Sequence, residues 1–154
     1  MVAVLARGGR RAEAWVGAVV VVVSLFTAGC SGDAVPTAAL QPGRTWQSVE
    51  LRSGSSTISA IPSTRASTVV FNDGRLTGSD SVNPHHAASS ESGNHVTVSG
   101  STVGAVGIAK ESIKEGEVRT AMAELFSGSS GPVGVNMEGS RLVLTAGSYV
   151  LVFA

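Results

Sequence analysis

Apolar positions recur along this chain at three spacings, and each change of spacing marks a boundary. From Ala14 to Ala28 they form one run, weakly polar to apolar, that contains Val19-Val20-Val21-Val22-Val23 and closes on Gly29-Cys30. From Ser31 to Gly43 there is no period, and Pro36 and Pro42 interrupt the stretch, so it reads as a flexible tether. Beyond Arg44 the dominant period is two. Thr45 to Leu51 predicts a first strand with Val49 and Leu51 on one face. Ser53 to Ser67 is rich in Ser, Thr and Gly, with Ile58 and Ile61 as isolated anchors, and predicts a loop with at most one short strand. Thr68 to Phe71 and Arg75 to Gly78 flank Asn72-Asp73-Gly74, where Asp-Gly supplies the positive φ of a tight hairpin. Ser79 to Asn94 is polar, contains Asn83-Pro84-His85-His86, and predicts a long loop or an irregular edge strand. His95 to Ser99 alternates cleanly and predicts a strand, and the glycine-punctuated Thr102 to Ala109 predicts a bent one.

The period then lengthens. Val118, Met122, Leu125 and Phe126 stand at i, i+4, i+7 and i+8, one face of a helix. Ser112 and Glu115 have the spacing of a capping box, and Gly128 stands where a helix end wants a left-handed residue. Val133 to Met137, Arg141 to Thr145 and Ser148 to Phe153 predict three closing strands, turned by Glu138-Gly139 and Ala146-Gly147. Strands, one helix, then strands predict an α+β domain: an antiparallel, barrel-like β-sheet with one α-helix packed against it.

Charge changes the picture at the start of the chain. Arg7, Arg10 and Arg11 against Glu13 precede the apolar run, and small residues follow it, which is the plan of a secretory signal peptide. The run falls short of the roughly 20 apolar residues a spanning helix needs. Cys30 is the one cysteine of 154 residues, so no intrachain disulfide forms. Ala28-Gly29-Cys30 after a basic and then apolar segment resembles a bacterial lipoprotein signal, although Thr27 stands where that pattern usually has an aliphatic residue. The resemblance implies that the Cys30 sulfur receives a diacylglyceryl group. Two acyl chains at one residue meet the need for more than one anchoring chain, since a single chain binds membranes only marginally. The expected organisation is a lipoprotein signal peptide at 1–29, a flexible tether at 30–43 and a domain at 44–154. The expected location is the extracytoplasmic face of a bacterial cell membrane, through a lipid anchor at Cys30.

Composition narrows the function classes. Charged residues make up 14% and aromatics 5% of the chain, with no Lys/Arg run, which excludes a nucleic-acid-binding surface. No Gly-x-Ser-x-Gly elbow, phosphate-cradling Gly-x-x-x-x-Gly-Lys-Ser/Thr or His-Glu-x-x-His occurs. Glu111, Glu115, Glu117 and Glu124 surround the helix as a solvated acidic face. His85, His86 and His95 with Asp80 are the candidate metal ligands, because imidazole is the commonest such ligand. Adjacent histidines on an extended segment face opposite ways, however, and the favoured reading of Pro84 to Gly93 is a solvated loop. We therefore assign no catalytic residue, no cofactor and no metal from the sequence.

Residues 44–154 resemble the META domain, or HslJ-like, family of bacterial envelope proteins. Trp46 with Leu51 matches the opening strand. Val70-Phe71-Asn72-Asp73-Gly74-Arg75-Leu76-Thr77-Gly78 matches the family hairpin, and Asn83 the asparagine that follows it. Glu117 through Leu125 matches the single helix, and Arg141 to Leu144 and Leu151 to Phe153 the last two strands. Where many members carry Gly-Cys-Asn this chain has Ser81-Val82-Asn83, and near Lys110 it lacks their second cysteine, so the disulfide of those relatives is missing. The resemblance implies a fold and a compartment more than a reaction; with the absent catalytic motifs and the anchor at Cys30, the expectation is a non-catalytic lipid-anchored envelope protein, linked to stress or envelope upkeep, that engages an unknown envelope protein or the cell wall. The alternative is a small-ligand or metal-binding lipoprotein that uses the sheet end and the His85/His86 loop.

Overall fold

The computed structural model describes residues 40–104 and 113–154. Within them lie nine strands and one helix: β1 (Trp46–Ser53), β2 (Ser56–Ser59), β3 (Thr68–Asn72), β4 (Arg75–Ser79), β5 (Pro84–Ser92), β6 (His95–Val103), α1 (Ile113–Ser127), β7 (Val133–Glu138), β8 (Arg141–Ala146) and β9 (Tyr149–Phe153). A 3-10 turn at Ser63–Arg65 sits between β2 and β3. All strand pairs are antiparallel. β1 and β3 through β9 follow one another round the sheet, and β9 pairs back onto β1. Eight strands thus close a barrel, and β2 stays outside the ring on β1. The strand–helix–strand order predicted this antiparallel barrel with a packed helix.

Local chemistry explains the hairpins. Asp73 and Gly74 have φ of 47° and 73°, so both central residues of the β3–β4 turn are left-handed, and the twist of that turn matches its strands. The last two turns fall on Gly139-Ser140 and Gly147-Ser148, one residue beyond the expected dipeptides, with the glycine at positive φ in each.

Two expectations are corrected. In β1 the register with β9 slips between Ser48 and Glu50, and this bulge turns Trp46, Ser48 and Leu51 inward and leaves Val49 half-buried. Strict alternation placed Val49 with Leu51 because it had no residue to lose to a bulge. The segment after Ser79 is not a long loop or an edge: β5 is one of the longest strands and pairs with β4 on one side and β6 on the other. Its composition is poor in β-branched and aromatic residues, so neighbours on both sides impose the strand. Ser112 of the expected capping box and residues 105–109 of the expected bent strand lie outside the described residues.

The helix phase holds. Val118, Ala121, Met122, Leu125 and Phe126 are buried, and α1 packs on β5, β6 and β8. With Trp46, Leu51, Leu76, Leu142, Leu144, Leu151 and Phe153 they fill the barrel. Each fully buried side chain of this size contributes about 1.5–3 kcal/mol. Gly128 ends the helix at φ 63°, and a methyl group there would strike the Val98 carbonyl. Packing begins ahead of Arg44: Leu40 is buried, its carbonyl accepts from Trp46 Nε1 at 3.1 Å, and the Arg44 guanidinium lies 3.7 Å over the indole.

The β1–β3 seam is thin. Its register covers Trp46–Val69 and Gln47–Thr68. Ser48 N–H then donates to the Ser67 carbonyl and Ser67 N–H to Ser48 Oγ, both at 2.8 Å. Past that point β2 takes the place of β3 beside Glu50 to Ser53. The parting of these chains leaves a cleft in the wall.

Candidate functional site

Four polar side chains are buried among the described residues: Ser48, Ser67, Asp80 and His85. Ser48 and Ser67 close the β1–β3 seam. Asp80 follows the last residue of β4, one position beyond the Thr68–Ser79 pair. A buried carboxylate is costly unless hydrogen bonds surround it, and here the chain supplies them. Val82 N–H and Asn83 N–H donate to Oδ1 at 3.0 and 2.6 Å, and the Asn83 side-chain amide donates to Oδ2 at 3.3 Å. His85 Nε2 lies 3.1 Å from Oδ2, and Arg119 Nε reaches within 3.9 Å of it from α1. An ionised carboxylate only accepts, so His85 carries its proton on Nε2. Burial pushes the Asp80 carboxyl up, but the bonds from the Asn83 amide, His85, Val82 and the Asn83 side chain outweigh it. The group therefore lies below its ordinary value of 3.8. The His85 ring rests 4.9 Å from the Phe126 ring, and its Nδ1 has no hydrogen-bond partner among the described residues.

Above this pair lies a cleft of about 340 Å³. Ile58, Ile61, Pro62 and Arg65 form one wall, from the end of β2 to the 3-10 turn. Asp80 and Ser81 of the β4–β5 loop and Lys114, Glu115 and Val118 of α1 form the other. The Arg65–Glu115 ion pair joins the two walls. Ala60 and Ser81 both line the cleft and have φ of 57° and 76°. A non-glycine residue held there costs of order 1–3 kcal/mol and persists only where its surroundings fix it.

The structure brings together two of the four candidate metal ligands. Asp80 and His85 touch, whereas His86 is exposed on the outer face of β5 and His95 is exposed at the start of β6. Among the described residues no group of three His, Cys, Asp or Glu is placed to hold a metal ion. On the helix, Glu117 is exposed as expected, while Glu115 pairs with Arg65 and Glu124 accepts from Ser129 Oγ at 3.2 Å. Glu111 and Cys30 lie outside the described residues. Sequence reasoning missed the cleft and the burial of Asp80. The one local signal was Asp80 opening a turn three residues before Asn83-Pro84, the position where an aspartate caps its own loop.

No family model and no curated protein matches this chain. Its fold is similar to an NMR structure of a protein from Burkholderia xenovorans, with 15% identity over 75% of this chain and 85% of that one and a TM-score of 0.55. A second NMR structure is similar at 14% identity over 75% of this chain and 92% of the other, also at 0.55. At these identities the likeness is one of fold.

Chemically, the site offers an anchored carboxylate–imidazole pair beneath a surface cleft of mixed polarity. Each Asp80 oxygen is already engaged by donors. That suits a carboxylate that shapes a loop better than one that takes up a proton from a substrate.

Proposed function

We propose that this chain is a non-catalytic, lipid-anchored protein of the bacterial cell envelope, of META or HslJ-like type, that binds another protein or the cell wall in stress or envelope upkeep. The observation that carries this reading is the leader: a basic start, an apolar run and small residues ending at the chain's one cysteine, Cys30. The barrel supports binding over catalysis, since its interior is filled by side chains and its buried carboxylate is held by the protein's own donors. The tether expected at 30–43 loses its last residues to the domain, since Leu40 is buried and Gly43 N–H donates to the Phe71 carbonyl, and the stretch from Cys30 up to Leu40 would give the domain its reach from the membrane surface.

The test is intact mass and detergent partitioning of the protein made in a bacterium. The mature protein should begin at Cys30, carry acyl chains and enter the detergent phase, and Cys30→Ser should stay an unacylated precursor. A mature start elsewhere, or a Cys30 without acyl groups, overturns the reading.

One observation favours a second reading, a lipoprotein that binds a small ligand: the cleft beside Ile58 and Val118. The metal form of that reading draws no support from His85 and His86, which lie on opposite sides of β5. A thermal-shift screen of apolar and anionic small molecules, with divalent metals alongside, tests it.

A further inference from the structure

A closed barrel removes strand edges by pairing its strands round the ring. Within the described residues β2 stands at the end of the strand order and keeps an open edge. Its other edge pairs with β1 at Glu50–Ser59, Leu51–Ile58, Arg52–Thr57 and Ser53–Ser56. The turn between them is the two residues Gly54-Ser55, with Gly54 at φ 54°. In such a hairpin the pair next to the turn exchanges hydrogen bonds, and bonded and non-bonded pairs then alternate. Ser56 and Ile58 therefore bond to β1, and the backbone N–H and C=O of Thr57 and Ser59 point to the open side. Natural edges are usually guarded by lysine, proline or a bulge. β2 reads Ser-Thr-Ile-Ser: at four residues it is short, which itself limits pairing, but it carries no lysine, proline or bulge.

The cleft lies against this edge, with Ile58 and Ser59 in its wall. Ile58 shares the inward face of its partner Leu51 and is packed against the core. A strand laid along β2 would place one side chain beside Ile58, over the apolar patch that Ile61 and Val118 complete. Charge sets the partner's sign. Asp80 is engaged by its own loop and His85, and Glu115 is paired with Arg65. Lys114 is exposed in the opposite wall and makes no ion pair among the described residues.

We propose that the outer edge of β2 docks an extended peptide segment of a partner protein as an added strand, with an apolar side chain in the cleft against Ile58, Ile61 and Val118 and a carboxylate on Lys114. In this mode main-chain hydrogen bonds give affinity and the pocket for alternate side chains gives specificity. The site rests on the reading of the domain as a binding module and names the chemistry of what it binds.

The experiment pans a random peptide library on the full chain as the bacterium makes it, in detergent, then titrates the enriched peptides as synthetic probes. Expected winners alternate apolar and polar residues and carry an aspartate or glutamate. Binding should slow hydrogen exchange at the Thr57 and Ser59 amides. Thr57→Pro deletes an outward N–H, which an edge strand tolerates, and should weaken binding about tenfold or more. Lys114→Gln should weaken it severalfold and flatten its salt dependence. Backbone N-methylation of the peptide leaves the protein untouched and should abolish binding, which guards against misfolding of the proline variant. Panning that enriches nothing, peptides that bind equally when N-methylated, or protection at amides away from β2 would each overturn the site. Acylation of Cys30, read by mass, stands or falls separately.

Discussion

Asp80→Asn isolates what the buried carboxylate contributes. Asparagine keeps the Oδ1 acceptor for the Val82 and Asn83 amides but replaces Oδ2 with an NH₂ group. That group would face the Asn83 side-chain amide donor at 3.3 Å, and His85 Nε2 at 3.1 Å could accept from it only by moving the ring proton to the buried, unpartnered Nδ1. Hydrogen bonds to a charged group are worth about 1.5–3 kcal/mol each, and a buried donor left without an acceptor adds to the loss. The expected cost is about 3–5 kcal/mol, comparable to breaking a buried pair, from a typical total of about 5–15 kcal/mol. With a urea slope of about 1–3 kcal/mol per molar, the midpoint should fall by at least about 1 M. The pH dependence gives a second, sharper reading. Asp80 sits below its ordinary value of 3.8 in the folded protein. Its stabilisation is therefore complete above that value and is lost as pH falls through the lower folded value. The variant has no group to titrate there. The gap between wild type and variant should be largest above about pH 5 and should narrow as pH falls below 3.8, with the other carboxylates common to both. Urea unfolding at a series of pH values, followed by circular dichroism, measures the gap. A gap that stays constant with pH, or lies under about 1 kcal/mol at neutral pH, would refute the argument that the ionised carboxylate holds this loop.

The remaining predictions concern the barrel. Leu125→Ala should cost about 2–5 kcal/mol in urea unfolding, because it removes a fully buried side chain and leaves a cavity. The exposed Glu117→Ala on the same helix should stay under about 0.5 kcal/mol, and a reversed order would overturn the helix phase. Gly78→Ala should destabilise by about 1–3 kcal/mol or more, since a methyl group would run into the Thr68 carbonyl and come to 3.1 Å from Phe126 Cζ. An unchanged melting temperature would mean that β3, β4 and α1 do not meet as described. Gly74→Val should cost about 1–3 kcal/mol through a β-branched residue at φ 73°, read as a drop in melting temperature.

The strands and the helix whose signals are local are legible in the amino-acid order alone. Asp73-Gly74 marks its hairpin because few residues tolerate two successive left-handed positions. Val118, Met122, Leu125 and Phe126 mark the helix because a 3.6-residue period leaves one face to bury. The proposal of a leader ending at Cys30 rests wholly on sequence, since it depends on the order of charge, apolarity and small residues along the chain. What the tertiary structure decided is non-local. Pro84 to Ser92 carries little strand preference of its own and becomes β5 because β4 and β6 offer hydrogen-bonding edges on both sides. The slip at Ser48 and Glu50 exists only against β9, and it, not alternation, turns Trp46 and Leu51 inward. Asp80 and His85 read as solvated loop residues because nothing in their neighbourhood names Phe126 or Arg119, which approach from a helix distant in the chain. The cleft is further from local reading still. It forms where β1 and β3 part after Gln47 and Thr68, and α1 supplies its far wall. Such a space is set by how three elements diverge, a property that no single stretch of the chain encodes.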